Sequence, residues 1–147
     1  MGMGRSKGKR TREQEEENKK KNETLSRKKM NPVRAQHLVK AAVVLFLVDL
    51  FWIATGGIYA RAIAERIQGH SLQIRYLPAL VTYLFLAYML LETKSYKQAF
   101  VYGLCIYGVY DFTTLALLKG YDWKFAVADT LWGGFLFVIG RHLLKVF

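Results

Sequence analysis

A single cysteine, Cys105, excludes an intrachain disulfide and leaves the redox compartment unread. There are only two prolines, Pro32 and Pro78, and each falls near the start of a helical run. Residues 1–40 hold no aromatic side chain. That removes base stacking and leaves only phosphate-type contacts to nucleic acid, which is therefore disfavoured as a partner. No Lys or Arg lies in the middle of any long apolar run after residue 40. The first such run starts near residue 41, behind a charged tail, so a cleavable signal peptide is not expected. P-loop, dinucleotide-fingerprint, zinc-protease and nucleophile-elbow motifs are missing too. With no nucleophile or metal set, neither an enzyme nor a cofactor is expected.

What is present is strongly segregated. Hydrophobic residues make up 52% of the 147-residue chain, yet the mean hydropathy is only +0.09. Residues 1–40 hold 13 of the 22 Lys+Arg and 5 of the 11 Asp+Glu, a net +8 of the total +11. We read residues 1–31 as a basic, polar, partly helical arm. Glu15–Lys19, Glu16–Lys20 and Glu17–Lys21 are acid-before-base pairs at helical spacing, each worth about 0.2–0.5 kcal/mol, on a helix with no apolar face. Arg5, Lys7, Lys9, Arg10, Lys19, Lys20, Lys21, Arg27, Lys28 and Lys29 are the candidate contacts to an acidic protein surface or anionic lipid. Gly2 and Ser6 fit a loose myristoylation pattern, for which flexible glycines are the simpler account. Asn22-Glu23-Thr24 is a glycosylation triplet that would go unused on a cytoplasmic arm.

Residues 32–147 read as an integral membrane bundle of four transmembrane helices, an all-α class, with spans at about 41–62, 74–92, 97–118 and 124–144. Asn31-Pro32 reads as a helix start and Gly69 as a helix end. Pro78 lies near the start of the second run, where it does no harm. Ser95 to Gln98 is a capping box, Lys119-Gly120 a basic last turn with its terminating glycine, and Asp122 the cap of the fourth helix. Four spans put both termini on one side, and the Lys/Arg-rich arm makes that side cytoplasmic. Arg61, Arg66 and Arg75 in the first connection run against this rule. Tyr76, Tyr96, Tyr121 and Trp123 are the expected interfacial belt.

Three acids lie inside these runs: Asp49, Asp111 and Asp129. An ionised Asp at the bilayer centre costs on the order of 3 kcal/mol, so each needs a proton or partners. Asp111 precedes Leu118 by 7 residues and Asp129 follows Trp123 by 6. At ~1.5 Å per residue both sit roughly 10 Å below one surface, on antiparallel neighbours, where they can meet. Tyr107 and Thr114 flank Asp111, and Asp49–Trp52 and Asp129–Trp132 repeat a D-x-x-W spacing. One account is a proton or cation path, or a head-group pocket. The other is interhelical hydrogen-bond glue, at about 0.6 kcal/mol per bond. Gly56, Gly57, Gly103, Gly108, Gly133, Gly134 and Gly140 are close-packing sites, and His37, His70 and His142 lie near helix ends without ligand spacing.

The segments VDLFW (48–52), YGVYDFTT (107–114), LKGYDW and ADTLWGG (128–134) resemble the family catalogued as domain of unknown function 2177. Its members are small four-helix membrane proteins of bacteria, with relatives in large DNA viruses. The resemblance spans roughly residues 38–140. It implies the fold and the importance of Asp49, Asp111, Asp129 and Trp132, and it implies no activity. The basic arm departs from the compact bacterial pattern, which suggests docking to something larger. The expectation that follows is a multi-pass structural or anchoring protein that ties a bilayer to an assembly through its arm. Capsid proteins of a virus particle with an internal membrane are one candidate. The alternative is a small transporter or channel for protons or cations that uses the three acids.

Overall fold

A computed structural model describes the backbone from residue 4 and the side chains of residues 14–21 and 34–147. The elements are α1 (Gly4–Gln68), α2 (Tyr76–Leu91), α3 (Tyr96–Leu117) and α4 (Trp123–Val146). Among the described residues there is no strand, so the class is all-α. The chain divides into two units, Met1–His37 and Leu38–Phe147.

In the first unit the described side chains from Gln14 to Lys21 are all exposed, Lys19, Lys20 and Lys21 among them. A helix of acid–base pairs with no apolar stripe has nothing to bury. The side chains of Arg5, Lys7, Lys9, Arg10, Arg27, Lys28 and Lys29 lie outside the described residues. So do the Gly2–Ser6 pattern and the side chains of the Asn22 triplet, whereas the helix start expected at Asn31-Pro32 is not found, because the α1 backbone runs on through both residues.

The second unit is a bundle whose helix ends follow from local chemistry. The α2 helix starts at Tyr76, which puts Pro78 in its first turn, where a missing N–H costs nothing. Ser95 caps α3 by accepting from Gln98 N at 3.1 Å, and the Gln98 side chain accepts in return from Lys94 N at 2.7 Å. The return bond thus reaches one residue beyond the cap itself. Asp122 caps α4, accepting from Lys124 N at 2.7 Å and Phe125 N at 3.4 Å. Gly69 ends α1 with a φ of +74°, which L side chains rarely adopt. But α3 stops at Leu117 with an extended Leu118 as its cap, so Lys119 is not in its last turn and Gly120, at φ +97°, lies in the connection beyond.

Among the described residues two segments are long and apolar enough to cross a bilayer by length and composition, Arg34–Gln68 and Tyr96–Leu117. The α2 helix is apolar but has 16 residues. The 24 residues of α4 are diluted by Lys124, Asp129, Arg141, His142 and Lys145. The outer surface carries large apolar side chains, with Phe51 65%, Phe85 69% and Val109 70% exposed. In water such a surface would aggregate; against acyl chains it matches its solvent.

The core lies at the end of the bundle next to the Glu92–Ser95 turn. Ala41, Leu45, Ala87, Leu90, Ala99, Leu136 and Phe137 are buried there. Small residues bring the helices together. A Cβ at Gly140 would lie 2.9 Å from Leu45 Cδ2 and 3.1 Å from Leu90 Cδ2. A Cβ at Gly103 would overlap the Gly133 carbonyl. Arg141 closes this end by donating to the Thr93 carbonyl and, at 2.8 Å, to Thr93 Oγ1.

Candidate functional site

Contacts fix the direction of the helices. Residues 45, 49, 52 and 59 of α1 meet residues 140, 132, 129 and 122–125 of the α4 region, so the two run antiparallel. Each helix carries an Asp and a Trp three residues apart, which one helical face presents together. Set antiparallel, the two pairs exchange partners. Trp52 Nε1 donates to Asp129 Oδ1 at 2.6 Å, and Trp132 Nε1 donates to Asp49 Oδ1 at 2.7 Å. The two indoles stack, with centroids 5.3 Å apart and planes 10° from parallel. The stack adds about 0.5–1.5 kcal/mol beyond its buried area. Each Trp thus serves the acid of the opposite helix.

The remaining donors come from elsewhere. Tyr83 of α2 donates to Asp49 Oδ2 at 2.7 Å. Asp111 is fully buried and accepts from Tyr121 at 2.7 Å and, at a longer 3.4 Å, from Thr130. Asp111 and Asp129, expected to meet, share no hydrogen bond, because each has its own donors. Thr114 donates instead to the Tyr110 carbonyl of its own helix at 2.7 Å. Tyr107 packs over Gly133, where a Cβ would collide with its ring. Tyr121, expected in the interfacial belt, turns its hydroxyl inward.

Tyr83, Tyr110, Tyr121 and Thr130 were not among the sequence candidates. Their only signal is a hydroxyl inside or beside an apolar run, and such hydroxyls in lipid seek an acceptor. Among the described residues no three His, Cys, Asp or Glu side chains converge as metal ligands. His70 Nδ1 lies 3.1 Å from the Ser71 carbonyl and His142 Nδ1 3.4 Å from the Tyr96 hydroxyl.

Asp49 and Asp129 stand where packing opens, while Asp111, fully buried, lines neither of the cavities there. A cavity of about 510 Å³ runs from Asp49, Trp52 and Asp129 towards Gln68 and Leu72. A second, of about 500 Å³, lies beside Thr82, Phe85 and Ile106. Tyr107, Tyr110 and Asp129 line both. Both oxygens of Asp49 and both of Asp111 accept hydrogen bonds. Asp129 accepts one, from Trp52, and among the described residues its Oδ2 accepts none. Of the lining of the first cavity, Arg61 pairs with Glu65 at 2.9 Å, and Glu65 also accepts from Leu72 N at 3.1 Å. Arg66 donates to the Gly120 carbonyl at 3.1 Å. Outside the spans, the Tyr59 hydroxyl donating at 2.6 Å holds the Asp122 carboxyl below the usual carboxylate range, helped by the Lys124 N–H.

A family model described as a predicted membrane protein, DUF2177, matches residues 35–141. No curated protein and no solved structure matches the chain.

Proposed function

The chain belongs to that family of predicted membrane proteins, and from this premise we propose that its intramembrane carboxylates bind a cation and pass it between the two cavities that meet at Asp129. On this reading α1 to α4 supply four spans, with both termini cytoplasmic. The Lys/Arg-rich first 40 residues support that orientation. The arginines expected in the first connection weigh less against it than their number suggests, and Arg61 and Arg66 lie within the last turns of α1. Arg61 is held by Glu65 and Arg66 by a backbone carbonyl, so both are engaged locally. The 16 residues of α2 reach ~24 Å, short of the ~30 Å hydrocarbon core, so its flanking polar turns would sit at the interface.

The observation that carries the reading is the contrast among the acids. Asp49 and Asp111 have both oxygens committed, and Asp129 keeps one oxygen open on a wall common to both cavities. An acid buried only as glue would take a full set of donors, as its two neighbours do. No catalytic step is proposed. The test is cation and proton flux into vesicles reconstituted with the full chain. Wild type should carry flux, and Asp129→Asn should lower it about tenfold. Equal flux in the two proteins overturns the proposal.

The arm supports a second role compatible with the first. Its segregated charge, net +8 over residues 1–40, suits it to tie the bilayer to anionic lipid or to an acidic protein surface, a capsid shell being one candidate. Removing residues 1–30 should abolish recruitment to such a partner while leaving membrane insertion intact.

A further inference from the structure

We propose that the cavity between Asp129 and Leu72 takes an amphiphilic organic monocation, an amine carrying an apolar body, with Asp129 Oδ2 as its counter-ion. This rests on the cation-binding reading above and names the class of cation.

The walls make the choice. Asp129, with one oxygen open, lines the cavity together with Trp52, Tyr107 and Tyr110. One carboxylate oxygen beside aromatic side chains suits an ammonium group, which donates to the oxygen and is attracted to ring faces. It does not suit a bare metal ion. Calcium takes six to eight oxygens and magnesium six, and the oxygens of Asp49 and Asp111 are already occupied. Much of the remaining lining is aliphatic, with Ile53, Ile63, Ile67 and Leu118. A proton or a hydrated ion has no use for that stretch, whereas a hydrocarbon or aryl body fills it. The volume, about 510 Å³, lies within the range of small-molecule sites, about 300–1,000 Å³. The one lining cation is Arg61, which Glu65 engages, so little repels a positive ligand on its way in.

The experiment uses the full chain in lipid nanodiscs and the Trp fluorescence that Trp52 reports. Phenylbutylamine is the probe, phenylbutanol the uncharged control with the same body, and potassium chloride the inorganic arm. A saturable response to the amine is expected, with none to the alcohol or to potassium at matched concentration. Asp129→Asn should weaken the amine about tenfold. The Asn carbonyl can still accept from Trp52, so the clasp survives and only the open oxygen is lost. Ala64→Phe fills the cavity without touching an acid, and should weaken the amine as well. Equal amine binding in Asp129→Asn or in Ala64→Phe overturns the inference, as does an equal response to the alcohol. Wild-type cation flux with no saturable amine response overturns it and leaves the broader reading standing. An amine response without flux keeps the site and removes only the passage of the cation. Neither flux nor response removes both.

Discussion

The end of the bundle next to the Glu92–Ser95 turn and the end next to the Gly69–Arg75 and Leu118–Asp122 connections use the same helices and pack them in opposite ways. At the first end, small residues and aliphatics close the space: Ala41, Leu45, Ala87, Ala99, Leu136 and Phe137 are each 0% exposed. At the second, carboxylates, tyrosines and tryptophans hold the helices through hydrogen bonds and leave a cavity of about 510 Å³. The Trp52–Trp132 stack stands near the border. In lipid, apolar side chains gain nothing by leaving their surroundings, so helices associate by close van der Waals fit or by polar bonds. Close fit dominates at the first end and polar bonding at the second, and the second is the one that leaves the cavity.

The sharpest way to break this comparison is at Gly103. A Cβ there overlaps the Gly133 carbonyl, and backbone cannot rotate away as a side chain can. Gly103→Ala should cost ~3 kcal/mol or more and lose the monodisperse species in detergent. Unfolding at the wild-type temperature would mean that the closed end is not set by α3–α4 contact. Next in size is Asp49→Ala. It strands the donors of Tyr83 and Trp132 and should cost about 2 kcal/mol, at the middle of the range for buried unpaired groups. Asp129→Ala strands only Trp52 and should cost about half as much. Equal losses in chemical unfolding would erase the distinction between a fully bonded acid and an open one. Smaller again, Ala64→Phe enters the cavity and should shift stability by no more than about 0.5 kcal/mol. A larger loss would show that the cavity is closed in the folded protein.

Much of the second unit was legible beforehand. Capping at Ser95 and Asp122 is a local matter of side chain and neighbouring N–H, so it survives any tertiary arrangement. The D-x-x-W spacing was visible, but the partner exchange was not, because it depends on the rotation and register of two distant helices. The fate of Asp111 and Asp129 shows why. Their depths agreed, yet depth is only one coordinate. Asp129 and Thr130 are consecutive, and so about 100° apart around α4. Thr130 faces α3 and reaches Asp111, while Asp129 faces α1 and meets Trp52. Tyr121 looked like an interfacial anchor because its place in a polar turn fits that role equally well. The intended partner of a lone hydroxyl is not written near it in the sequence. Charge did announce the arm.

The smallest effect separates a third kind of contact, the exposed cap, from both ends of the bundle. Asp122 begins α4 and accepts from Tyr59 across the connection, which keeps its carboxyl ionised further into acid than usual. A carboxylate lowered in the folded state stabilises that state fully above its unfolded value, near 3.8, and loses the contribution as pH falls through the folded value. Asn is an equally good cap by geometry, so Asp122→Asn removes the charge and keeps the bond. The stability gap between wild type and Asp122→Asn should therefore be constant through neutral pH, favour the wild type slightly, and close below about pH 4. Tyr59→Phe should narrow the same gap, since Tyr59 is the largest cause of the lowering. A gap that widened in acid would reverse the sign and mean that Asp122 is held protonated. The cap would then belong with the open end's buried chemistry and not with the solvated loop.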